Sequence, residues 1–365
     1  MKITFLIGNG FDVSVGIESS YSKFYEWYCK QPSILKYIND FKTNIQRDMN
    51  QNVPDEEKTW ADFEVGLGKY TAEFTAEQVS QFLDCYEDAQ NGIVEYLKGQ
   101  EAKCDVSAIS ESSLSEFANT VLNFYQELPD LERIAVNAVC NDVKNDDREM
   151  SFVSFNYTGI LEEILKRLPT TTLKKWKNGN NDHACKLNTN VIHVHGTISE
   201  FPIIGVDGDG QIVNKELLST PQFREIMIKA ECVNALGRLW HRQAEELISK
   251  SRIVCVFGMS LGETDAKWWR KLAQWLKADG NRHIVVYWYD RNPPNGVSVR
   301  KQLEGKNNVI EKLLSYSQLA DKEKDTIKNR IHVIINTSKF LRIPKSEIVK
   351  EEQEDIAPVQ EGALV

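Results

Sequence analysis

"FLIGNGFDVSVGIESSYSKF", residues 5–24, sets the reading of the whole chain. An apolar run from Ile3 to Ile7 stops at Gly8-Asn9-Gly10, as a buried strand stops at a glycine turn that meets a ligand. The dinucleotide fingerprint G-x-G-x-x-G wants glycine at position 13, but Val13 stands there and the next glycine is Gly16. The turn therefore reads as a nucleotide-type strand end that departs from the hydride-transfer pattern. Gly8 and Gly10 permit positive φ and close backbone approach, so amides and a helix N-terminus can face a pyrophosphate. A tight turn without a ligand makes the same demand. Asp12, after Phe11, would repel a bare phosphate; it suits ribose hydroxyls, the orientation of a neighbour, or a helix cap.

Further strand-like runs lie at 151–155, 191–195, 252–257, 283–289 and 331–336, each short, rich in Val, Ile, Phe or Tyr, and ending near Gly, Asn or Asp. Helical patterns separate several of them, which predicts an α/β core with a parallel sheet flanked by helices. The clearest helix is "TDAKWWRKLAQWLKADG", with Gly280 as its expected C-terminal cap. Residues 21–149 carry helical periodicity and no strand signal, and are expected to form a helical insertion. The core would then be discontinuous, 1–20 plus 150–345, with 346–365 as a flexible acidic tail. "KNGNNDHACKLNTN" reads as a polar loop, Pro202 to Val206 as a possible strand, and "GVDGDGQ" as the turn after it.

The chain has 365 residues, 41% hydrophobic and 27% charged, which is ordinary for a globular protein with a large core. A net charge of −9 argues against a broad nucleic-acid surface, although residues 165–178 hold a small basic cluster. Seven scattered cysteines without a C-x-x-C pair predict reduced thiols, neither a zinc site nor a disulfide framework. The start is too short for a signal-peptide core, and no apolar run is long enough to span a membrane. A cytoplasmic protein is the expectation.

In an open parallel sheet, ligands bind beyond the carboxyl ends of strands. The ends here carry small or polar groups: Gly8 to Asp12, Phe155-Asn156-Tyr157-Thr158, His195-Gly196, Gly258 to Asp265, and Tyr289-Asp290. Asn156 can hold a water or a ribose hydroxyl, or end its strand in an Asx turn. His193 and His195 alternate with Val194, and His195, beside Gly196, is placed to act as a general base or as a structural histidine. Gly258, Ser260, Leu261 and Asp265 form a turn in which Ser260 and Glu263 read as a capping box, compatible with ligand binding at the same helix end. Asp290 can accept hydrogen bonds from the two hydroxyls of a ribose. Trp60 to Glu64 reads as amphipathic packing or part of a lid.

Together "LIGNGFDVSVGIESSYSKF", "TWADFE", "SFNYTGILE", "HVHG" and "GMSLGETD" resemble the AbiH family of bacterial abortive-infection proteins. That family is similar in turn to the sirtuin-like (Rossmann-like) fold. "GNGFDVSVGI" stands where sirtuins carry a Gly-Ala-Gly loop, "FNYT" in place of their Gln-Asn-Ile-Asp, "VHG" where their catalytic histidine lies, and "GMS" resembles their Gly-Thr-Ser. The resemblance implies an anti-phage protein that binds NAD⁺ and hydrolyses it to nicotinamide and ADP-ribose, with Asn156 and His195 catalytic and no metal or further cofactor required. It implies Gly8, Asn9, Gly10, Phe11, Asp12, Gly258, Ser260, Leu261, Asp265 and Asp290 as nucleotide contacts, a phage-derived trigger, and a possible homo-oligomer. The four-cysteine zinc module of sirtuin deacetylases is missing, and Glu18-Ser19-Ser20-Tyr21 replaces their Pro-Asp-Phe-Arg, so protein deacetylation is not implied. The alternatives are a sensor that binds NAD or an NAD-derived nucleotide without cleaving it, and a toxin directed at nucleic acid.

Overall fold

The computed structural model describes residues 1–54, 58–142, 145–290 and 298–350. Seven strands form one sheet: β1 (Lys2–Ile7), β2 (Arg148–Ser154), β3 (Thr172–Asn178), β4 (Asn181–His193), β5 (Ser251–Phe257), β6 (His283–Trp288) and β7 (Ile331–Ile335). Their order is β3-β4-β2-β1-β5-β6-β7. All neighbours are parallel except β3, which pairs antiparallel with β4. The chain winds outward from β1 to β4 and then starts again on the far side with β5, so the winding reverses between β1 and β5.

The apolar strand runs are explained by burial on both faces. In β1, Ile3, Phe5 and Ile7 join one core and Leu6 joins the other. Phe5 stacks on Phe152 of β2 at 5.1 Å between ring centroids. A short helix, α1 (Gly10–Ser14), follows β1, and then come α2 (Tyr21–Tyr28), α3 (Lys36–Met49), α4 (Phe63–Tyr70) and α5 (Val79–Ala102). One face of the sheet is covered by α6 (Glu111–Leu122), α7 (Asp130–Asp142) and α8 (Ile160–Arg167). After α9 (Pro221–Met227) and α10 (Lys229–Ala235), the other face is covered by α11 (Trp240–Lys250), α12 (Ala266–Ala278), α13 (Val299–Ser315) and α14 (Asp321–Ile327). In α12, Trp268, Leu272, Trp275 and Leu276 share the buried stripe that their helical spacing predicts.

The region 21–149 does not behave as one insertion. Helices α6 and α7 are the sheet's own flanking layer, whereas α2 to α5 build a second, aromatic core with residues 198–228. In that core Trp60 lies against Gly66, where a Cβ would sit 2.2 Å from the indole, and edge-on to Phe41 at 5.4 Å.

Several local expectations are corrected. The stretch 177–190, read as a loop, is the turn of the β3–β4 hairpin and most of β4. Its strand signal is weak because the hairpin lies at the edge of the sheet: in β3 no residue is buried, and early in β4 only Cys185 and Leu187 are. Pro202 to Val206 forms no strand beyond a single bridge from Val206 to Ile228. Ser260 caps nothing, because Leu261, at φ 51°, turns the chain before a 3₁₀ turn at Glu263–Asp265 leads into α12. That helix ends at Asp279 in extended backbone, not at a left-handed Gly280. Of the expected tail, 351–365 lie outside the described residues, but 346–350 are anchored: in the short helix α15 (Lys345–Ile348), Ile348 is buried and Glu347 accepts hydrogen bonds from Ser110 and Ser113. No helix among the described residues is long and apolar enough to cross a membrane.

Candidate functional site

A cavity of about 1240 Å³ opens at the carboxyl ends of the strands, where the sheet meets the second core. Its floor is built by Gly8, Asn9, Gly10 and Asp12 after β1, Asn156 and Tyr157 after β2, His195 after β4, Gly258 to Leu261 after β5, and Tyr289 after β6. Its other wall includes Tyr21, Asp62, Glu64 and Tyr96 from the helical region. Gly10, Asn156, His195 and Ser260 thus share one cavity, whereas Phe11 and Asp290 do not line it. Phe11 is fully buried in the core under β1. Asp290 is tied by its backbone to Asn336, whose side chain accepts from its N–H at 2.7 Å and donates to its carbonyl at 3.0 Å.

The glycines are required by the approach of two loops. Gly258, at φ 72°, lies so close to the β1 turn that a Cβ on Gly10 would sit 2.6 Å from its Cα. The Gly10 N–H donates to the Gly258 carbonyl at 2.8 Å and the Phe11 N–H to Gly8 at 2.9 Å. The Gly10 amide is therefore taken up by the fold and does not face a phosphate. Asn9 is likewise engaged, donating from Nδ2 to the Ser19 carbonyl at 3.1 Å.

Asp12 is buried and accepts from Asn156 Nδ2 at 2.8 Å and from Thr158 Oγ1 at 2.7 Å. Burial pushes its carboxyl up to about 7, against the opposing pull of those two bonds. As a carboxylate it only accepts, so it fixes the amide of Asn156 with Nδ2 inward and Oδ1 outward. That oxygen is buried with no partner among the described residues. The backbone of Asn156 is held from two sides: its N–H donates to Ser154 Oγ at 3.1 Å, and its carbonyl lies 3.1 Å from His193 Nδ1. Strand β4 ends at His193, so the alternation expected to put both histidines on one face stops there. His195 lies in the turn beyond, made possible by Gly196 at φ 69°.

His195 is buried between Phe155 and Tyr157, with ring centroids 5.5 and 6.5 Å away. Its Nε2 lies 3.2 Å from Asp265 Oδ1, off the line that a hydrogen bond needs, and Nδ1 has no partner among the described residues. Burial and then the Lys229 cation lower its pKa, with Asp265 opposing, so the ring is neutral near pH 7. An ionised Asp265 beside Nε2 favours the tautomer that carries the proton there and leaves Nδ1 as the acceptor.

Behind Asp265 lies a group that the sequence did not reveal. Lys229, at the start of α10, is buried, with Nζ 2.6 Å from Glu64 Oε2 and 3.3 Å from Asp265 Oδ1, and it donates to the Thr264 carbonyl at 3.0 Å. Burial pushes Glu64 up to about 8, against the pull of Lys229, while neighbouring Asp62 and Asp265 push the same way as burial. Burial also works to raise Asp265, but Lys229 and His195 outweigh it and hold that carboxyl well below its usual range. No local pattern in the sequence marks either residue, because Glu64 lies just inside α4 after the extended Asp62 and Lys229 starts α10 far along the chain. At the other end of the cavity stand Lys312, over the Trp288 ring at 5.4 Å, and Arg342, neither with a carboxylate partner among the described residues.

The family model for bacteriophage abortive infection AbiH matches residues 4–288, which contain the site apart from Tyr289 and its Lys312 and Arg342 end. The chain belongs to the AbiH family. No curated protein matches it. Within this AbiH chain the matched span takes in the second core and the sheet from β1 to β6, so the Glu64–Lys229 and Lys229–Asp265 contacts fall inside the family region.

Proposed function

We propose that the cavity binds NAD⁺ or a close relative and that this AbiH protein hydrolyses its nicotinamide–ribose bond, depleting the cofactor during phage attack. One observation carries the reading: an unpartnered buried acceptor, Asn156 Oδ1, and a bare imidazole nitrogen, His195 Nδ1, belong to the same cavity at a sheet reversal. Such a reversal is where dinucleotides bind in doubly wound sheets, and the strand order is the doubly wound one. The finer assignment of a sirtuin-like fold rests on that order and on the motif resemblance. The volume of about 1240 Å³ exceeds the usual range for a small-ligand pocket and suits a dinucleotide.

Nicotinamide leaves as a neutral molecule, taking the bonding electrons and leaving an oxocarbenium-like ribose. Asn156 Oδ1 accepts from the attacking water or from a ribose hydroxyl, and the water oxygen bonds to the anomeric carbon. His195 Nδ1 takes the water's proton and returns it to solvent, giving ADP-ribose, nicotinamide and a proton. Asp12 keeps Asn156 oriented. Lys312 and Arg342 are the groups available to face the diphosphate, in place of the Gly10 amide.

Nicotinamide release from NAD⁺ by wild type, Asn156→Ala and His195→Ala tests the reading, with NAD⁺ binding followed by calorimetry. Loss of the general base is expected to slow release by roughly 10²–10⁴-fold. Release that neither substitution changes would remove both residues from the mechanism. Binding without release, in vitro and in phage-infected cells, would make the protein a sensor of the nucleotide.

A further inference from the structure

We propose that Lys229 is a positioning residue for His195, acting through Asp265 and held in place from the helical region by Glu64. The proposal rests on His195 as the proton acceptor of the reaction above. A buried ammonium beside the buried Glu64 and the half-buried Asp265 is costly to assemble, and hydrophobic residues of similar volume would often serve stability as well or better. Here the cation occupies a defined socket: Glu64 Oε2 at 2.6 Å, Asp265 Oδ1 at 3.3 Å and the Thr264 carbonyl at 3.0 Å. The Glu64 side chain is fixed as well, since its Oε1 accepts from the Gly205 N–H at 3.3 Å.

Two consequences reach His195. Lys229 keeps Asp265 ionised, and an ionised Asp265 at 3.2 Å from Nε2 retains the ring proton there, leaving Nδ1 bare. Lys229 also opposes protonation of the ring itself, which would silence it as a base. Without the cation, the His195–Asp265 pair would hold a proton between them at neutral pH. The other charged groups facing His195 act less directly: Asp62 lies beyond Glu64, and His241, whose pKa burial and His195 itself lower to about 3, stays neutral. Because Lys229 follows Ile228 of the second core and Asp265 lies at the sheet end, the state of His195 depends on the two cores staying together.

The test is nitrogen NMR of the His195 ring in the full chain without nucleotide, across pH 5 to 9. Wild type should show Nε2 protonated and Nδ1 bare; the reverse tautomer would overturn the proposal outright. Lys229→Met should raise the His195 titration midpoint by about one unit or more, tenfold in proton affinity, and Lys229→Arg should restore it. Asp265→Asn should move the midpoint the opposite way, a pair of signs that a merely structural role would not produce. Glu64→Gln retains the Lys229–Asp265 pair and should leave the midpoint near wild type. Where Lys229→Met fails to fold, the Glu64→Gln/Lys229→Met double variant removes both members of the tight pair and should show the same rise. An unchanged midpoint without the cation would refute the role of Lys229 whatever happens to NAD⁺. Absence of nicotinamide release with the expected midpoints would refute the reaction and leave the positioning intact.

Discussion

Replacing Asp12 by asparagine should make the protein more stable at alkaline pH and less able to act. Both oxygens of Asp12 are engaged, by Asn156 Nδ2 at 2.8 Å and Thr158 Oγ1 at 2.7 Å, yet burial raises its pKa from 3.8 to about 7. The native state therefore holds a proton between those values that the unfolded chain has released. Stability from this proton is complete below about pH 4 and is lost as pH rises through about 7. At 1.36 kcal/mol per unit the loss is about 4 kcal/mol in full, of which about 3 kcal/mol falls between pH 5 and pH 8. An asparagine side chain does not titrate, can accept from Asn156 Nδ2 and can donate to Thr158 Oγ1. Urea unfolding of wild type and Asp12→Asn at pH 5, 6.5 and 8 should show the variant gaining up to about 3 kcal/mol relative to wild type over that span. A carboxylate also dictates the orientation of Asn156, which an amide, able to donate as well as accept, does not. Nicotinamide release by wild type should rise with pH through about 7, and Asp12→Asn should be slow at every pH. A stability difference that stays constant from pH 5 to 8 would refute the buried, proton-holding carboxyl.

Glu64 makes a second pH prediction: its pKa is raised to about 8, so its contribution is full below about 4.5 and lost as pH rises through 8, and Glu64→Gln should flatten the fall in wild-type stability between pH 7 and 9. Gly258→Ala should lower the melting temperature by several degrees, since φ is 72° and a Cβ would sit 2.7 Å from Phe11 N; a shift within about 1 °C would show that the two loops can part. Lys312→Ala should weaken calorimetric binding of ADP-ribose by roughly tenfold to a hundredfold at low salt and less at high salt, and unchanged binding would move the diphosphate elsewhere.

The central strands were legible because they are buried on both faces and must be apolar throughout, as Ile3 to Ile7 shows. The hairpin was not, because an edge strand such as Thr172–Asn178 buries no residue fully and sets only Leu173 and Trp176 against the core, while Lys174, Lys175 and Lys177 interrupt the apolar pattern and discourage further pairing. At the site, residues adjacent to strand ends could be named from the sequence, because topology alone brings them to one edge. Glu64 and Lys229 could not, because their meeting depends on residues 198–228 packing onto α4, across 165 positions of chain, and no local pattern encodes that. Asp290 failed for a related reason: its place after β6 was right, but the backbone turns there toward Asn336.

The division into two cores gives the site its character. A sheet end alone offers Asn156, His195 and Asp265, all near water and free to reorient. The second core closes over them with Tyr21, Phe24, Ile93 and Tyr96, and it carries Lys229, held by Glu64, to Asp265 beside His195. The same closure sets the charges at the site, because Lys229, next to Ile228 of the second core, meets the Asp265 carboxylate at the sheet end only when the cores come together. Any event that loosened the cores would wet His195, free Lys229 and release the surplus proton of Glu64 together. For the chemistry proposed above, that coupling ties the state of His195 to a single packed arrangement around Lys229, a residue that follows it in the chain.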